Sequence, residues 1–123
     1  MEGGNIVSNL RDTLSPRINE LFNRVEMELK KLFGDKLKKV ILFGSCSRGD
    51  FEASDVDMMA LVDEPHPEKT YKDNIADIIM TLSVEYDVLL SLFLENEKEY
   101  EEAKLYEPLL ERVAAEGIAI YAA

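Results

Sequence analysis

The sequence predicts an α/β (α+β) fold in which a short mixed β-sheet is flanked by helices. Short apolar runs of strand length alternate with longer segments whose apolar residues recur at helical spacing. The chain has 123 residues, which is the size of one ordinary domain. We therefore expect a flexible or weakly helical segment over 1–15 and a single domain over 16–123.

The first predicted element is a helix that begins after Ser15. Ser15 offers a capping hydroxyl, and Pro16 follows at the first helical position. Gly34 ends the helix, as glycine often does. Between these ends, apolar residues recur at helical spacing: Ile18, Leu21, Phe22, Val25, Leu29 and Leu32.

The remaining elements follow in the order β, β, α, β, α. Apolar runs predict strands over 39–43, 54–62 and 86–94, with a short last strand over 118–121. Helices are predicted over 68–84 and over 95–116, the second interrupted near Pro108. This order predicts a mixed sheet packed against helices on one or both faces.

The charge of the chain limits its partners. Its 25 acidic and 14 basic residues give a net charge of −11. Nucleic-acid binding usually needs the opposite balance, because lysine and arginine neutralise the phosphates. We therefore expect no direct nucleic-acid binding, whereas a metal-bound nucleotide or a basic protein partner agrees with this charge.

Cysteine usage and hydropathy indicate a cytoplasmic protein. Cys46 is the only cysteine, so no internal disulfide can form, which suits a reducing compartment. The first residues lack the pattern of a signal peptide. No apolar run approaches the roughly 20 residues of a membrane span, so no membrane contact is expected. The sequence leaves a homodimer open.

One segment, residues 44–57, combines a turn that can bind phosphate with a positive charge and two carboxylates. Gly44 and Ser45 follow a predicted strand directly, and such a turn can present backbone N–H groups and a hydroxyl to a phosphate. Arg48 lies close enough in sequence to add a fixed positive charge. Asp55 and Asp57 are alternate residues of the next predicted strand, so both side chains project from one face.

The paired carboxylates predict a cation between them. Two such charges a few ångströms apart repel by roughly 1 kcal/mol even in water, and by more when partly buried. Oxygen ligands on a rigid strand suit Mg²⁺, which prefers few carboxylates together with phosphate oxygens and waters. Gly, Ser, Asp and Asp at this fixed spacing should match by chance on the order of once in a thousand chains of this length.

The segment GSCSRGDFEASDVD resembles the signature of the nucleotidyltransferase superfamily that includes DNA polymerase beta. In that signature Gly-Ser is followed, after a fixed gap, by Asp-x-Asp. The short chain and the flanking residues resemble minimal nucleotidyltransferases of bacteria and archaea, in particular the MntA-type antitoxins of HEPN/MNT systems. The resemblance covers residues 38–94 well, and the later helix and the final GIAIY are also typical.

The resemblance implies a nucleotidyltransferase fold and a role for each motif residue. Gly44, Ser45 and Arg48 would bind the nucleotide, with ATP as the substrate, and Asp55 and Asp57 would ligate two Mg²⁺ ions. The family also uses a third acid on a neighbouring strand, which binds one metal and helps to activate the attacking hydroxyl. Asp87 is the candidate because it begins the third predicted strand, and Glu85 is the alternative.

The resemblance further implies transfer of AMP to a tyrosine of a HEPN toxin, with this chain as the antitoxin. Two alternatives stay open. One is a non-catalytic binding module that neutralises its partner by contact, and the other is a small-molecule nucleotidyltransferase.

Three other features are interpreted as structural. His66 stands between two prolines and is expected to be a surface residue. Cys46 lies inside the motif, but the family uses no thiol there. The acidic stretch over 95–102 is expected to be a solvated helix face, with docking of a basic partner as the alternative.

Overall fold

A computed structural model describes residues 15–48 and 55–123. The helices are α1 (Pro16–Phe33), α2 (Pro67–Thr70), α3 (Lys72–Tyr86), α4 (Glu97–Ala103) and α5 (Pro108–Glu116). The strands are β1 (Leu37–Phe43), β2 (Asp55–Val62), β3 (Leu89–Asn96) and β4 (Ile118–Ala122). Short 3-10 turns span Gly34–Lys36 and Ser45–Arg48. The predicted N-terminal segment over 1–15 lies, apart from Ser15, outside the described residues.

The four strands form one mixed sheet in the order β3-β2-β1-β4. β1 pairs antiparallel with β2 and with β4, whereas β2 and β3 are parallel. A parallel pair needs a crossover, and α2 and α3 supply it between β2 and β3. The predicted fold class, a mixed sheet flanked by helices, is confirmed.

Each face of the sheet has its own core. On one face, α1 and α3 pack against alternate strand residues that include Val40, Met58 and Leu92. On the other face, α4 and α5 contribute Tyr100, Leu110 and Val113, which pack against Ile41, Phe43, Met59 and Leu61.

The predicted limits of the first helix are confirmed. The Ser15 hydroxyl accepts a hydrogen bond of 3.2 Å from the N–H of Ile18, which satisfies one of the free donors at the start of α1. Gly34 ends the helix with a φ of 56°, a positive value that costs glycine little. Five of the six apolar residues at helical spacing are buried, namely Ile18, Leu21, Phe22, Val25 and Leu29.

The strand predicted over 86–94 is wrong at its start. α3 continues through Tyr86, and Asp87 caps it in the left-handed conformation with a φ of 53°. The N–H of Val88 returns to the carbonyl of Ser83 at 3.1 Å, which closes the helix before β3 begins at Leu89. Tyr86 is buried because it stands four residues after the buried Leu82, on the same helix face.

Other boundaries differ as well: β3 continues to Asn96, so the helix predicted from 95 begins at Glu97. The helix predicted over 68–84 is two helices, because Tyr71 interrupts it with a φ of −108°. The strand predicted over 39–43 begins earlier, at Leu37. The interruption near Pro108 and the short last strand are confirmed.

Candidate active site

The motif residues meet where β1 ends and β2 and β3 begin. Phe43, the last residue of β1, pairs with Asp57, and Asp57 pairs with Ser91 on the other side. Asp55 pairs with Leu89 in the same way. Alternate strand residues share a face, so Asp55 and Asp57 project from the sheet face that also carries Phe43. The sequence prediction that the two aspartates share one face agrees with this register.

Gly44 lies in direct contact with Asp57. A Cβ built at position 44 would lie 2.5 Å from Asp57 Oδ2, closer than any ordinary contact allows. Gly44 is buried and has a φ of 75°, in the left-handed region. Glycine is therefore needed here both for the turn and for the close approach of the carboxylate.

The turn after Gly44 is a 3-10 turn that begins at Ser45 and ends at Arg48. Ser47 holds it to β1, because its hydroxyl donates to the Gly44 carbonyl at 2.7 Å and its N–H donates to the same oxygen at 3.1 Å. Cys46 is buried in the core against α1 and α3, as its structural interpretation predicted. The turn is thus fixed at its start beside Asp57.

The two carboxylates suit a divalent cation. Asp55 is exposed and Asp57 half-buried, and neither forms an ion pair with another residue in the described ranges. Oxygen donors held on one strand face are the donor set that Mg²⁺ accepts together with phosphate oxygens. Within residues 15–48 and 55–123, no group of three acidic, histidine or cysteine side chains is assembled for a metal.

Asp87 and Glu85 lie at the same end of the fold but not on β3. Asp87 is exposed and precedes Leu89, the partner of Asp55, by two residues. Its backbone carbonyl accepts a hydrogen bond of 3.3 Å from Arg17. Glu85 points toward α1, where its carboxylate accepts from Arg24 at 2.6 Å. The structure therefore brings Asp55 and Asp57 together and leaves the third acid outside this pair.

The register shows two residues that the sequence interpretation missed. Ser91 stands beside Asp57, and Phe93 stands beside Met59 on the same face. The ring of Phe93 lies 6.0 Å from that of Phe43, centroid to centroid. Their alternation with buried leucines in β3 is a period-2 signal, but only the pairing of β3 with β2 places them near the aspartates.

Arg112 of α5 adds a positive group to the same face. Its guanidinium carbon lies 5.7 Å from the centroid of the Phe43 ring, and Phe43 is the cross-strand neighbour of Asp57. Arg112 forms a long ion pair of 3.8 Å with Glu116 of the same helix, and its side chain is 53% exposed. His66, in contrast, is exposed on the turn before α2, as its structural interpretation predicted.

Comparison with known proteins shows the family of the chain. The family model described as "nucleotidyltransferase domain" matches residues 23–119. A protein of Methanocaldococcus jannaschii, described as a proposed protein adenylyltransferase, is 41% identical over 75 residues, which make up 60% of this chain and 75% of the relative. A second protein of that organism with the same description is 34% identical over 71 residues, or 57% of this chain and 65% of the relative.

Solved structures resemble the fold as well. A chain from a toxin–antitoxin crystal structure with AMP-PNP superposes with a TM-score of 0.54 at 23% identity, covering 82% of this chain and 73% of that chain. A chain from the complex of tri-AMPylated Shewanella oneidensis HEPN toxin with MNT antitoxin gives a TM-score of 0.53 at 20% identity, covering 85% and 72%. At these identities the likeness is one of fold.

Across the described residues, no helix is long and apolar enough to cross a membrane.

Proposed function

Since this chain belongs to the nucleotidyltransferase domain family and is a nucleotidyltransferase, we propose that it transfers AMP from ATP, with Mg²⁺, to a tyrosine of a HEPN-type partner and so acts as an antitoxin. One observation carries the chemistry: Asp55 and Asp57 project from one strand face, and the glycine turn lies against Asp57. The two descriptions as proposed protein adenylyltransferases support AMP as the transferred group.

Each motif residue has a role in the proposed reaction. Asp55 and Asp57 would hold two Mg²⁺ ions, which when bound supply charge stabilisation to the phosphates. The turn that begins at Gly44 and Ser45 offers backbone N–H groups to the triphosphate, and Arg48 offers a fixed positive charge. The acceptor oxygen attacks the α-phosphorus, the bond to the β-phosphate oxygen breaks, and pyrophosphate leaves.

Asp87 is proposed as the third acid, which accepts the proton of the acceptor hydroxyl. It is exposed at the end of the sheet where β2 and β3 begin, two residues before the partner of Asp55. Glu85 is less suited, because Arg24 holds its carboxylate toward α1.

A protein acceptor fits the charge of the chain and its relatives. A net charge of −11 attracts a basic partner over long range at low salt. The solved chains that share this fold come from toxin–antitoxin complexes, one of them with a tri-AMPylated HEPN toxin. The family resemblance is the reason for proposing a tyrosine as the acceptor, and an exposed phenol on a flexible segment can reach the site.

The test is to incubate the purified chain with α-labelled ATP, Mg²⁺ and the product of the adjacent gene. Label is expected on the partner, with a mass gain of one or more AMP units, and no label is expected with Asp55→Asn. Asp63→Asn is the matched control, because Asp63 is an exposed aspartate that follows the other end of β2; this variant should retain transfer.

The outcomes separate the alternatives. If the partner stays unmodified and yet is inhibited equally by the Asp55→Asn variant, the chain acts as a binding module. If label appears on a small molecule or on RNA, the antitoxin role is wrong while nucleotidyl transfer stands. Calorimetry then tests the metal: nucleotide affinity should rise with Mg²⁺ or Mn²⁺ in the wild type and not in Asp55→Asn/Asp57→Asn.

A further inference from the structure

The outer edge of β3 offers backbone groups for pairing. In the described part of the chain, β3 is the last strand of the sheet on this side. The backbone N–H of Leu90 already donates to the Ser83 hydroxyl of α3 at 3.1 Å, so the backbone groups of Leu90 point to the outer edge of the sheet. Since the direction of backbone groups alternates along a strand, Leu92 and Leu94 direct their N–H and C=O groups to the same edge.

A cavity of about 310 Å³ lies beside this edge. Its apolar lining includes Ile75, Phe93 and Leu109, and its polar lining consists of Glu68, Lys72 and Glu95. We call the cavity and the outer edge of residues 92–95 together the β3 groove. Free strand groups beside an apolar cavity are what an extended polypeptide binds, through its main chain and one buried side chain.

The charge of the β3 groove indicates what kind of polypeptide would bind there. The charged residues that line the cavity are two glutamates, Glu68 and Glu95, and one lysine, Lys72. Burial raises the pKa of the Glu95 carboxyl, and the nearby charges of Glu68, Glu99 and Glu107 raise it further. A second copy of this chain would bring the same acids together across a symmetric contact, which is unfavourable. A basic side chain would instead relieve the negative charge.

We propose that the β3 groove binds an extended segment of a partner protein, with an apolar side chain in the cavity and a lysine or arginine beside Glu68 and Glu95. The segment pairs with Leu92 and Leu94 as an added strand.

The groove also indicates where the acceptor lies, a step that rests on the proposed function. Ser91 pairs with Asp57 and precedes Leu94 by three residues, which is roughly 10 Å along a strand. A segment bound along β3 therefore reaches the level of the two aspartates about three to four residues from its apolar anchor. We expect the acceptor tyrosine at that distance from the anchor.

Binding can be measured without any transfer. Short synthetic peptides that tile the product of the adjacent gene, each carrying a fluorophore, are titrated with the full chain in the absence of ATP. The peptides that bind should combine an apolar residue with a lysine or arginine. Amide hydrogen exchange at Leu92 and Leu94 should slow at least about tenfold on binding, whereas Leu90, already bonded to Ser83, should change little.

A charge reversal with a matched control tests the polar side of the groove. Glu68→Lys should weaken peptide binding about tenfold, because attraction becomes repulsion. Glu28→Lys makes the same change of charge on α1, which packs against α3 and β1, and should leave binding unchanged. Phe93→Ser, which alters the apolar lining, should also weaken binding.

Several results would overturn the proposal. Equal peptide binding by Glu68→Lys and wild type, or unchanged exchange at Leu92 and Leu94, rules out the groove. Protection of these amides that increases with the concentration of the chain alone makes a second copy the occupant. The assay contains no ATP, so failed binding leaves the transfer assay unaffected, and failed transfer leaves the binding result unaffected.

Discussion

The Cα of Gly44 lies directly against the carboxylate of Asp57, so that a Cβ at position 44 would stand 2.5 Å from Oδ2. The glycine that turns the chain out of β1 thus also sets the position of the half-buried aspartate on β2. The two halves of the motif, Gly-Ser and Asp-x-Asp, are separated in sequence but form one contact in the fold. This contact explains why glycine stands at the start of the turn.

Gly44→Ala is expected to impair metal binding as well as stability. A residue other than glycine at a φ of 75° lowers the free energy of unfolding by about 1 kcal/mol. Here the added methyl group must also displace the Asp57 carboxylate. Gly34→Ala is the matched control, because Gly34 has a φ of 56° and nothing lies within 4 Å of its Cβ position. Urea unfolding gives the stability of both variants, and calorimetry with Mn²⁺ and a non-hydrolysable ATP analogue gives their affinity.

Both variants should lose stability, but only Gly44→Ala should lose affinity for the metal and the nucleotide. If the two variants bind Mn²⁺ and the nucleotide equally well, the contact between Gly44 and Asp57 has no role in positioning the carboxylate.

Much of this fold can be predicted from the sequence because many of its features depend only on residues that are close together in the chain. The cap at Ser15, the helical spacing up to Leu29 and the glycine end at Gly34 all concern residues of one helix. The pair Asp55 and Asp57 needed only the period of a strand. These features follow from covalent geometry and short-range burial, which a sequence displays directly.

The sequence predictions fail where contacts between distant parts of the chain determine the structure. The apolar run predicts a strand that includes Tyr86 and Asp87, but Tyr86 belongs to α3 and is buried against α1, where its hydroxyl donates to Glu20 at 3.0 Å. An aspartate with positive φ ends the helix where glycine is the usual signal. The place of Ser91 beside Asp57 depends on a register between strands that a helical crossover separates, and no local pattern encodes it.

Glu95→Gln is expected to stabilise the chain at neutral pH. Burial and neighbouring acids raise the pKa of the Glu95 carboxyl above its ordinary value of 4.5 in the folded chain. The folded chain then binds this proton more tightly than the unfolded chain, so stability is greatest below that ordinary value and falls as pH rises through the folded pKa. Glutamine removes this loss, and the advantage of the variant should shrink as pH falls through the folded pKa and should be absent below about 4.5.

Urea unfolding at a series of pH values measures this difference. Glu102→Gln is the control, because Glu102 is an exposed glutamate of α4 with the same change of charge. A stability advantage of Glu95→Gln that stays constant with pH, or that Glu102→Gln reproduces, would contradict the interpretation.

Asp87→Asn and Asp87→Gly together separate catalysis from stability. Both variants remove the proposed third carboxylate, so both should lose transfer. Asparagine tolerates the left-handed φ of 53°, whereas glycine should raise the free energy of unfolding by up to about 1 kcal/mol. Transfer to the partner and urea unfolding are measured for each variant. Near-normal turnover in both would remove Asp87 from the site, and Glu85→Gln would then be the next variant to assay.

Ser91→Asp should create a stronger metal site. Ser91 is the β3 neighbour of Asp57 on the sheet face that carries both aspartates. A third carboxylate there, about 5 Å from Asp57 across the strands, adds repulsion of roughly 1 kcal/mol or more without metal. With Mn²⁺ bound, the added oxygen ligand should raise the affinity about tenfold or more. The variant should therefore melt below the wild type without metal and regain stability when Mn²⁺ is added.

Ser91→Asn supplies the control, since it has nearly the same volume as aspartate and no charge. Calorimetric titration with Mn²⁺ and thermal unfolding with and without the metal distinguish the two variants. If Ser91→Asp binds Mn²⁺ no better than Ser91→Asn, position 91 does not face the metal. If Asp87 is the natural third acid, Ser91→Asp should also restore Mn²⁺ binding to an Asp87→Asn background, because the new carboxylate then replaces the one that was removed.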